Sequence, residues 1–448
     1  MLFIYHPLHV ILHNISAKSY TLTSKNYSMA DIHTDYLIIG GGIAGTTAAE
    51  TIREHDGEGL IAILTKEDQV LYSRVMLPEY IEGRIHRENV FLRTAEDYAK
   101  NRINLFVSDE AIVIDVVRKI VETQKGKIIY FKKLLLASGG TPKPWHVPGS
   151  DSLPIIRFQT INDADAFRKQ ISYAPLKEAV VVGGGFIGLE YINTLLPHGF
   201  TVHCFLQESG YWHPYMDETG SQFIERYLME RGVIFHHERE IISLAGNEDG
   251  TINVQARGEQ AFITGLVAVG IGIMRDLTLF TGLGIEVNRG IKTNSYLEAS
   301  VPDIWVAGDI AEYYDGILEK YMLIGNWNNA FMQGYVAGIN MAASLTGTEK
   351  KKEFRHVASY AIDIQKMHVT FLGDIDDEAH EKEIITRTDD KTYYERFFIK
   401  NDFLTGAIMI NKFEDKTVLE RLIRDKVSVT PYRPYLTNPR ASLKESIG

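Results

Sequence analysis

The chain has 448 residues, 45% hydrophobic and 23% charged, which is too long for one compact core and indicates two to four domains of ordinary globular composition. A net charge of −11 speaks against nucleic acid as a partner. The single cysteine, Cys204, excludes an internal disulfide, a CxxC pair and a cysteine-based zinc cluster, and fits a reducing, cytoplasmic setting.

Residues 1–28 contain no Asp or Glu, and His6, Pro7, His9 and His13 break up their apolar run. They read as a loose tail or an over-long start ahead of Met29, not as a secretory or transit signal. No apolar run approaches the ~20 residues needed to span a bilayer. "TDYLIIGGGIAGTTAAETIREHD" then reads as strand, glycine turn and helix, and "LIAILTKED" as a second buried strand, making a βαβ unit. "KLLLASGGTPKPWHVPG" is an apolar strand with a Pro/Gly-rich exit, a domain boundary. "EAVVVGGGFIGLEYINTLLPHG" with "FTVHCFL" repeats the first unit. "DIWVAGDIAEYYD" reads as another buried strand, ending at Gly308-Asp309. Beyond about residue 350 the pattern turns antiparallel. "SYAIDIQKMHVTFLGD" and "YYERFFIKNDFLTGAIMIN" read as strands with a hairpin turn at Lys400-Asn401-Asp402. Val418, Leu419, Leu422 and Ile423 recur at helical spacing, and the acidic run at 374–383 reads as a solvated loop.

Each GxGxxG follows a β-branched strand and opens a helical pattern, the context that makes the motif informative. Gly40 and Gly183 permit the tight turn. Gly42 and Gly185 let the backbone approach a pyrophosphate, and Gly45 and Gly188 let helix and strand pack closely. The N–H groups of Ile43, Ala44, Phe186 and Ile187 open the two helices, where a phosphate sits. Glu67 lies 22 residues after Gly45 and Glu208 lies 20 after Gly188, close to the spacing of a ribose-binding acid. The fold class is therefore α/β: two Rossmann-like dinucleotide-binding domains of the three-layer ββα type, plus a C-terminal α+β domain. The histidines show no metal-binding spacing, so no metal site is expected.

These motifs, taken with "YSRVMLPEYIEG", "ASGGTP", "TNSYLEASVPDIWVAGD" and "GNWNNAFMQGYVAGINMA", resemble the FAD-dependent pyridine-nucleotide oxidoreductases of the glutathione-reductase fold. More narrowly, the chain is similar to their rubredoxin, ferredoxin and nitrite reductase flavoprotein branch. The resemblance runs from about residue 35 to 435 and is specific for fold and cofactor, less so for substrate. It implies a tail at 1–32, an FAD domain at 33–148 completed by 266–347, an NAD(P) domain at 149–265 and an interface domain at 348–448. It implies that Ala137, Ser138, Gly139 and Asp309 contact FAD, with Asp309 on the ribityl chain. Arg74 would lie near the isoalloxazine, and Trp327 at its edge. Glu190 would approach the nicotinamide, and Gly270 would line the same site. Arg74 and Glu190 are the catalytic candidates. The bland alternatives are a surface ion pair for Arg74, core packing for Trp327 and a solvated helix face for Glu190.

In the family's disulfide reductases a redox cysteine precedes the "LP" of this segment; here Val75 stands in that place, and Cys204 reads as structural. The implied activity is hydride transfer from NADH or NADPH to FAD, then electrons to a small iron–sulfur or rubredoxin-type protein. NADH is favoured, because no Arg or Lys occurs from Phe200 to Glu225. The basic stretch Arg421, Arg424 and Lys426 is expected to steer an acidic partner, and a homodimer is compatible with the resemblance. The alternatives are an NADH oxidase or CoA-disulfide-reductase-like enzyme, and an NADH-sensing flavoprotein of the apoptosis-inducing-factor type.

Overall fold

A computed structural model describes residues 31–348, 350–376, 380–389 and 391–447. The reading of residues 1–28 as a tail lies outside them. The first unit opens with β1 (Tyr36–Ile39), α1 (Ile43–His55), β2 (Ile61–Leu64), β3 (Ile103–Phe106) and β4 (Lys133–Leu136). The second has β5 (Glu178–Val182), α2 (Phe186–Leu195), β6 (Thr201–Phe205), β7 (Val233–His236) and β8 (Leu266–Val269). The chain then returns to the first unit with β9 (Ile304–Val306) and α3 (Trp327–Thr346). The two parallel sheets have strand orders β9-β4-β1-β2-β3 and β7-β6-β5-β8. β1, β2, β4 and β9 are buried along their whole length, as continuous Ile/Leu/Val runs require when both faces are covered.

A small antiparallel sheet accompanies each parallel one: 111–130 beside the first and 241–264 beside the second. Ile32 and His33, the former inside the stretch read as tail, pair with Ile129 and Tyr130 of the 111–130 sheet. β9 ends just before the turn at Gly308 (φ +81°), where the sequence places the end of this buried strand, and pairing resumes in a separate strand at Ala311. Helices α1 and α3 pack with almost no gap. A Cβ on Gly334 would lie 2.2 Å from the Ala44 carbonyl oxygen, and one on Gly338 2.8 Å from that of Ala48. This approach sets the N-terminus of α3, and Trp327, beside the first glycine turn.

The C-terminal domain is a five-stranded antiparallel sheet, β10 (Ser359–Ile364), β11 (Met367–Gly373), β12 (Glu383–Thr388), β13 (Tyr394–Lys400) and β14 (Phe403–Ile410), in the order β10-β11-β14-β13-β12. Helix α4 (Lys416–Arg424) packs Val418, Leu419, Leu422 and Ile423 into its core. Asn401 and Asp402 both have positive φ, as a two-residue hairpin turn demands.

Two charged stretches differ from their sequence reading. Asp374, placed by sequence in a solvated loop, is buried between Lys320 and Lys382, at 2.5 and 2.8 Å. The basic stretch on α4 is already engaged. Arg424 pairs with Asp425 and Lys426 with Glu319, while Arg421 donates to the Ile447 carbonyl. Arg424 and Lys426, so neutralised, supply little long-range attraction.

Candidate functional site

The two glycine turns are built alike. Gly40 and Gly183 have φ of +116° and +104°, open to glycine and strained for other residues. A Cβ on Gly40 would lie 2.1 Å from the Ala137 carbonyl oxygen, and one on Gly183 2.5 Å from that of Gly270. Thus Ala137 and Gly270, at the ends of β4 and β8, occupy equivalent places against their turns. A Cβ on Gly45 or Gly188 would lie 1.9 or 2.0 Å from the Gly40 or Gly183 carbonyl oxygen, too close for any side chain. Gly42 has nothing within 4 Å of its Cβ position, and Gly185 only the Gly270 oxygen at 3.9 Å. These glycines also cap α1 and α2 without a side-chain hydrogen bond, so the first-turn N–H groups, from Ile43-Ala44 and Phe186-Ile187 onward, keep donors for an anion.

Beside the first turn lies a cleft bordered by Gly41, Gly42, Glu67, Tyr72, Arg74 and Trp327. Glu67 accepts from the Tyr72 hydroxyl and pairs with Arg74, each at 2.5 Å. Arg74 also donates to the Gln159 carbonyl and lies over the Tyr72 ring, so it is fixed across the domain boundary and is not a loose surface ion pair. Trp327 is half-buried at the start of α3. Ser138 and Gly139 follow β4, Gly139 with φ +71°.

Asp309 follows the turn at Gly308. Its carboxyl group sits against Gly325, whose Cβ position is 3.1 Å from the carboxyl carbon, and accepts no hydrogen bond among the described residues. Burial pushes its pKa up, opposed by the charges of Arg275 and Arg74. A carboxylate desolvated without a protein donor fits a ligand that brings hydroxyl groups. The open glycine, uncapped helix and partnerless acid together suit a dinucleotide with a polyol chain.

In the second unit Glu190 points from the second turn of α2. It has no hydrogen-bond partner among the described residues, and its pKa is pushed up to about 7. Burial is the main cause, then the charges of Glu82 and Asp363, with Arg84 opposing. The Phe186 ring packs on Tyr360 at 3.8 Å, and on Phe371 and Trp212 at 5.0 and 5.3 Å. Glu208 is exposed beyond β6, and Cys204 is fully buried within it. Burial drives the Cys204 thiol pKa far up, so a thiolate is not available there. Val75 is 62% exposed in a short 3-10 turn.

Sequence reasoning missed two residues of this region. Arg275 donates from Nε to the Asp309 carbonyl, and its only sequence signal is a cation closing the apolar run 266–274. Tyr360 comes from the C-terminal domain and carries no local signal.

Residues 34–334 match the family of the pyridine nucleotide-disulphide oxidoreductases, and residues 363–427 match the rubredoxin NAD+ reductase C-terminal domain. The chain is 27% identical to the NADH-dependent phenylglyoxylate dehydrogenase subunit epsilon of Aromatoleum evansii, over 92% of this chain and 97% of that protein. It is 26% identical to the nitrite reductase [NAD(P)H] of Bacillus subtilis over 88% of this chain, and it spans about half the length of that protein, 48%. Its fold is shared with the reductase of the covalent putidaredoxin reductase–putidaredoxin complex (TM-score 0.83, 23% identity, 93% of this chain and 98% of that one). It is likewise shared with the NADH:rubredoxin oxidoreductase of Clostridium acetobutylicum (TM-score 0.72, 22% identity, 92% and 99%). Among the described residues no helix is long and apolar enough to cross a membrane. The chain belongs to the pyridine nucleotide-disulphide oxidoreductase family and, like its relatives there, is an FAD-dependent NAD(P)H oxidoreductase.

Proposed function

We propose that the chain takes hydride from NADH and passes electrons, without a redox cysteine, to a small iron–sulfur or rubredoxin-type protein. The first unit holds FAD and the second holds the nicotinamide donor. Bound FAD supplies the conversion of a two-electron donor into one-electron steps. The chain supplies position and charge. Gly40, Gly42 and Gly45, with Ala137, Ser138 and Gly139, shape the diphosphate side, and Gly183, Gly185, Gly188 and Gly270 do the same for the donor. Asp309 accepts from the polyol hydroxyls. Glu67 binds ribose with the lone pairs that Tyr72 and Arg74 leave unused. Arg74 sets a fixed cation beside the ring that gains electrons, and Trp327 flanks its edge. Glu208 binds the donor's adenosine ribose.

The acceptor surface is better sought where the start of α3 meets the C-terminal segment than around Arg421, Arg424 and Lys426. Asn328, next to Trp327, meets His356 of the C-terminal segment at 3.2 Å. Beyond it Phe413 is 57% exposed, with the Lys416 ammonium 5.8 Å from its ring centre. Lys416 has no ion pair among the described residues, so it retains charge for an acidic partner.

The observation that carries this reading is the burial of Cys204, the one thiol of the chain, in the core of the second unit. Cys204→Ala should keep NADH-dependent reduction of ferricyanide within about twofold, since only packing is altered. Wild-type protein should turn over negligibly with CoA disulfide or glutathione disulfide, and reduce a ferredoxin or rubredoxin readily. Disulfide reduction that Cys204→Ala abolishes would overturn the reading.

A further inference from the structure

The ribose-binding end of β6 has a neighbour that its own sequence does not show. Leu206 N–H donates to the His236 carbonyl at 3.0 Å, Arg239 N–H returns to the Leu206 carbonyl at 3.0 Å, and Glu238 N–H reaches the Glu208 carbonyl at 3.3 Å. The segments after β6 and β7 thus run on side by side, and Glu238 at φ +53° turns the second one. This brings a guanidinium, Arg239, next to the segment that ends on Glu208. The guanidinium is about half exposed, and its Nε lies 3.3 Å from Glu259. Glu259 comes from the turn joining the last two strands of the 241–264 sheet, and its other oxygen is 2.9 Å from His236 Nδ1. His236 is itself fixed, by His203 at 3.0 Å and by stacking on Phe205 at 4.2 Å. Glu259 is therefore anchored from behind, and it holds Arg239 toward the small sheet.

An NADPH donor would bring a 2′-phosphate to the adenosine ribose. Beside Glu208 that dianion meets a carboxylate, and it needs a forked cation to compensate. Arg239 is a cation on a neighbouring backbone, but its Nε edge is held by Glu259 and one terminal nitrogen donates to the Glu238 carbonyl at 3.4 Å. We propose that the Arg239–Glu259 pair sets the donor preference: Glu259 restrains a latent 2′-phosphate contact, and this restraint, with Glu208, keeps the enzyme on NADH. The inference rests on the reading of the second unit as the donor site.

The test compares wild type, Glu259→Gln, Arg239→Ala and the double variant in two ways. Steady-state kcat/KM is measured with NADPH and with NADH. Binding of 2′,5′-ADP and of 5′-ADP is measured by calorimetry, which needs neither hydride transfer nor an acceptor. Glu259→Gln should raise the NADPH-to-NADH ratio of kcat/KM about tenfold, chiefly through KM for NADPH, and tighten 2′,5′-ADP by a similar factor. NADH and 5′-ADP should change less than twofold. Adding Arg239→Ala should cancel the gain. An unchanged ratio with unchanged 2′,5′-ADP affinity in Glu259→Gln, or a gain that survives Arg239→Ala, overturns the inference while leaving NADH oxidation intact. A wild type that binds neither ADP nor NADH overturns the donor-site reading itself.

Discussion

Asp309→Ala is expected to lose flavin about tenfold to a hundredfold more readily than wild type, while its flavin-free form melts no lower. The first half follows from losing a charge-assisted hydrogen bond worth about 1.5–3 kcal/mol, at roughly 1.4 kcal/mol per decade of affinity. The second half follows from the sign of the pKa change. Burial raises the Asp309 carboxyl above its ordinary value, and Arg275 and Arg74 only partly offset this. A raised carboxyl pKa means that the flavin-free fold is favoured by the neutral acid. That contribution is complete below the ordinary carboxyl range and is lost as pH rises through the folded value. Above the ordinary carboxyl range the buried acid is thus a cost to the empty protein, and alanine removes it. A structural acid held by protein donors would behave the other way, since its removal would strand those donors and lower the melting temperature. The two measurements are flavin fluorescence after dialysis and calorimetric melting of the apoprotein. Equal retention in mutant and wild type would end the assignment of Asp309 to the cofactor.

The glycine turns could be read from sequence because their physics is local. A positive φ at Gly40 and Gly183, and the contacts of Gly45 and Gly188 with oxygens five residues earlier, are settled within one strand–turn–helix stretch. The hairpin at Asn401-Asp402 and the apolar stripe on α4 are local in the same sense. What sequence did not show depends on partners far along the chain. Lys426 is neutralised by Glu319, 107 positions away, and the Phe186 ring is covered by Tyr360 from another domain. Asp374 looked solvated within an acidic run until Lys320, on a different domain, met it. Arg239 is distant from Glu208 along the chain, and only the sheet, which places β7 next to β6, makes them neighbours. Charge readings fail more often than turn readings for this reason. A turn specifies its own geometry, but a side-chain charge is worth only what its tertiary neighbours leave uncompensated.

Glu190→Gln is expected to move activity and stability in opposite directions, and pH exposes both. The wild-type carboxyl titrates at about 7, pushed up by burial first and then by Glu82 and Asp363, with Arg84 opposing. On the proposed reading of the second unit as the donor site, an ionised Glu190 would set a negative charge beside a ring that becomes cationic as it gives up hydride. Reduction of bound flavin by NADH should therefore rise across pH 6–8 and level off above. In Glu190→Gln it should be flat, and at pH 8 lower by about tenfold to a hundredfold, each decade being about 1.4 kcal/mol of barrier. The same raised pKa means that the neutral acid favours the fold. Its contribution is whole below pH 4.5, the ordinary glutamate value, and is lost as pH climbs through 7. The loss is at most about 3 kcal/mol for a half-buried group. Glutamine, neutral throughout, avoids it, so the variant should melt higher than wild type at pH 8 and level with it at pH 5. Stopped-flow reduction and calorimetry over one pH series read both arms. A solvated helix-face glutamate would give neither. A variant that is equally fast and equally stable at every pH would return Glu190 to that role and leave the donor site without its acid.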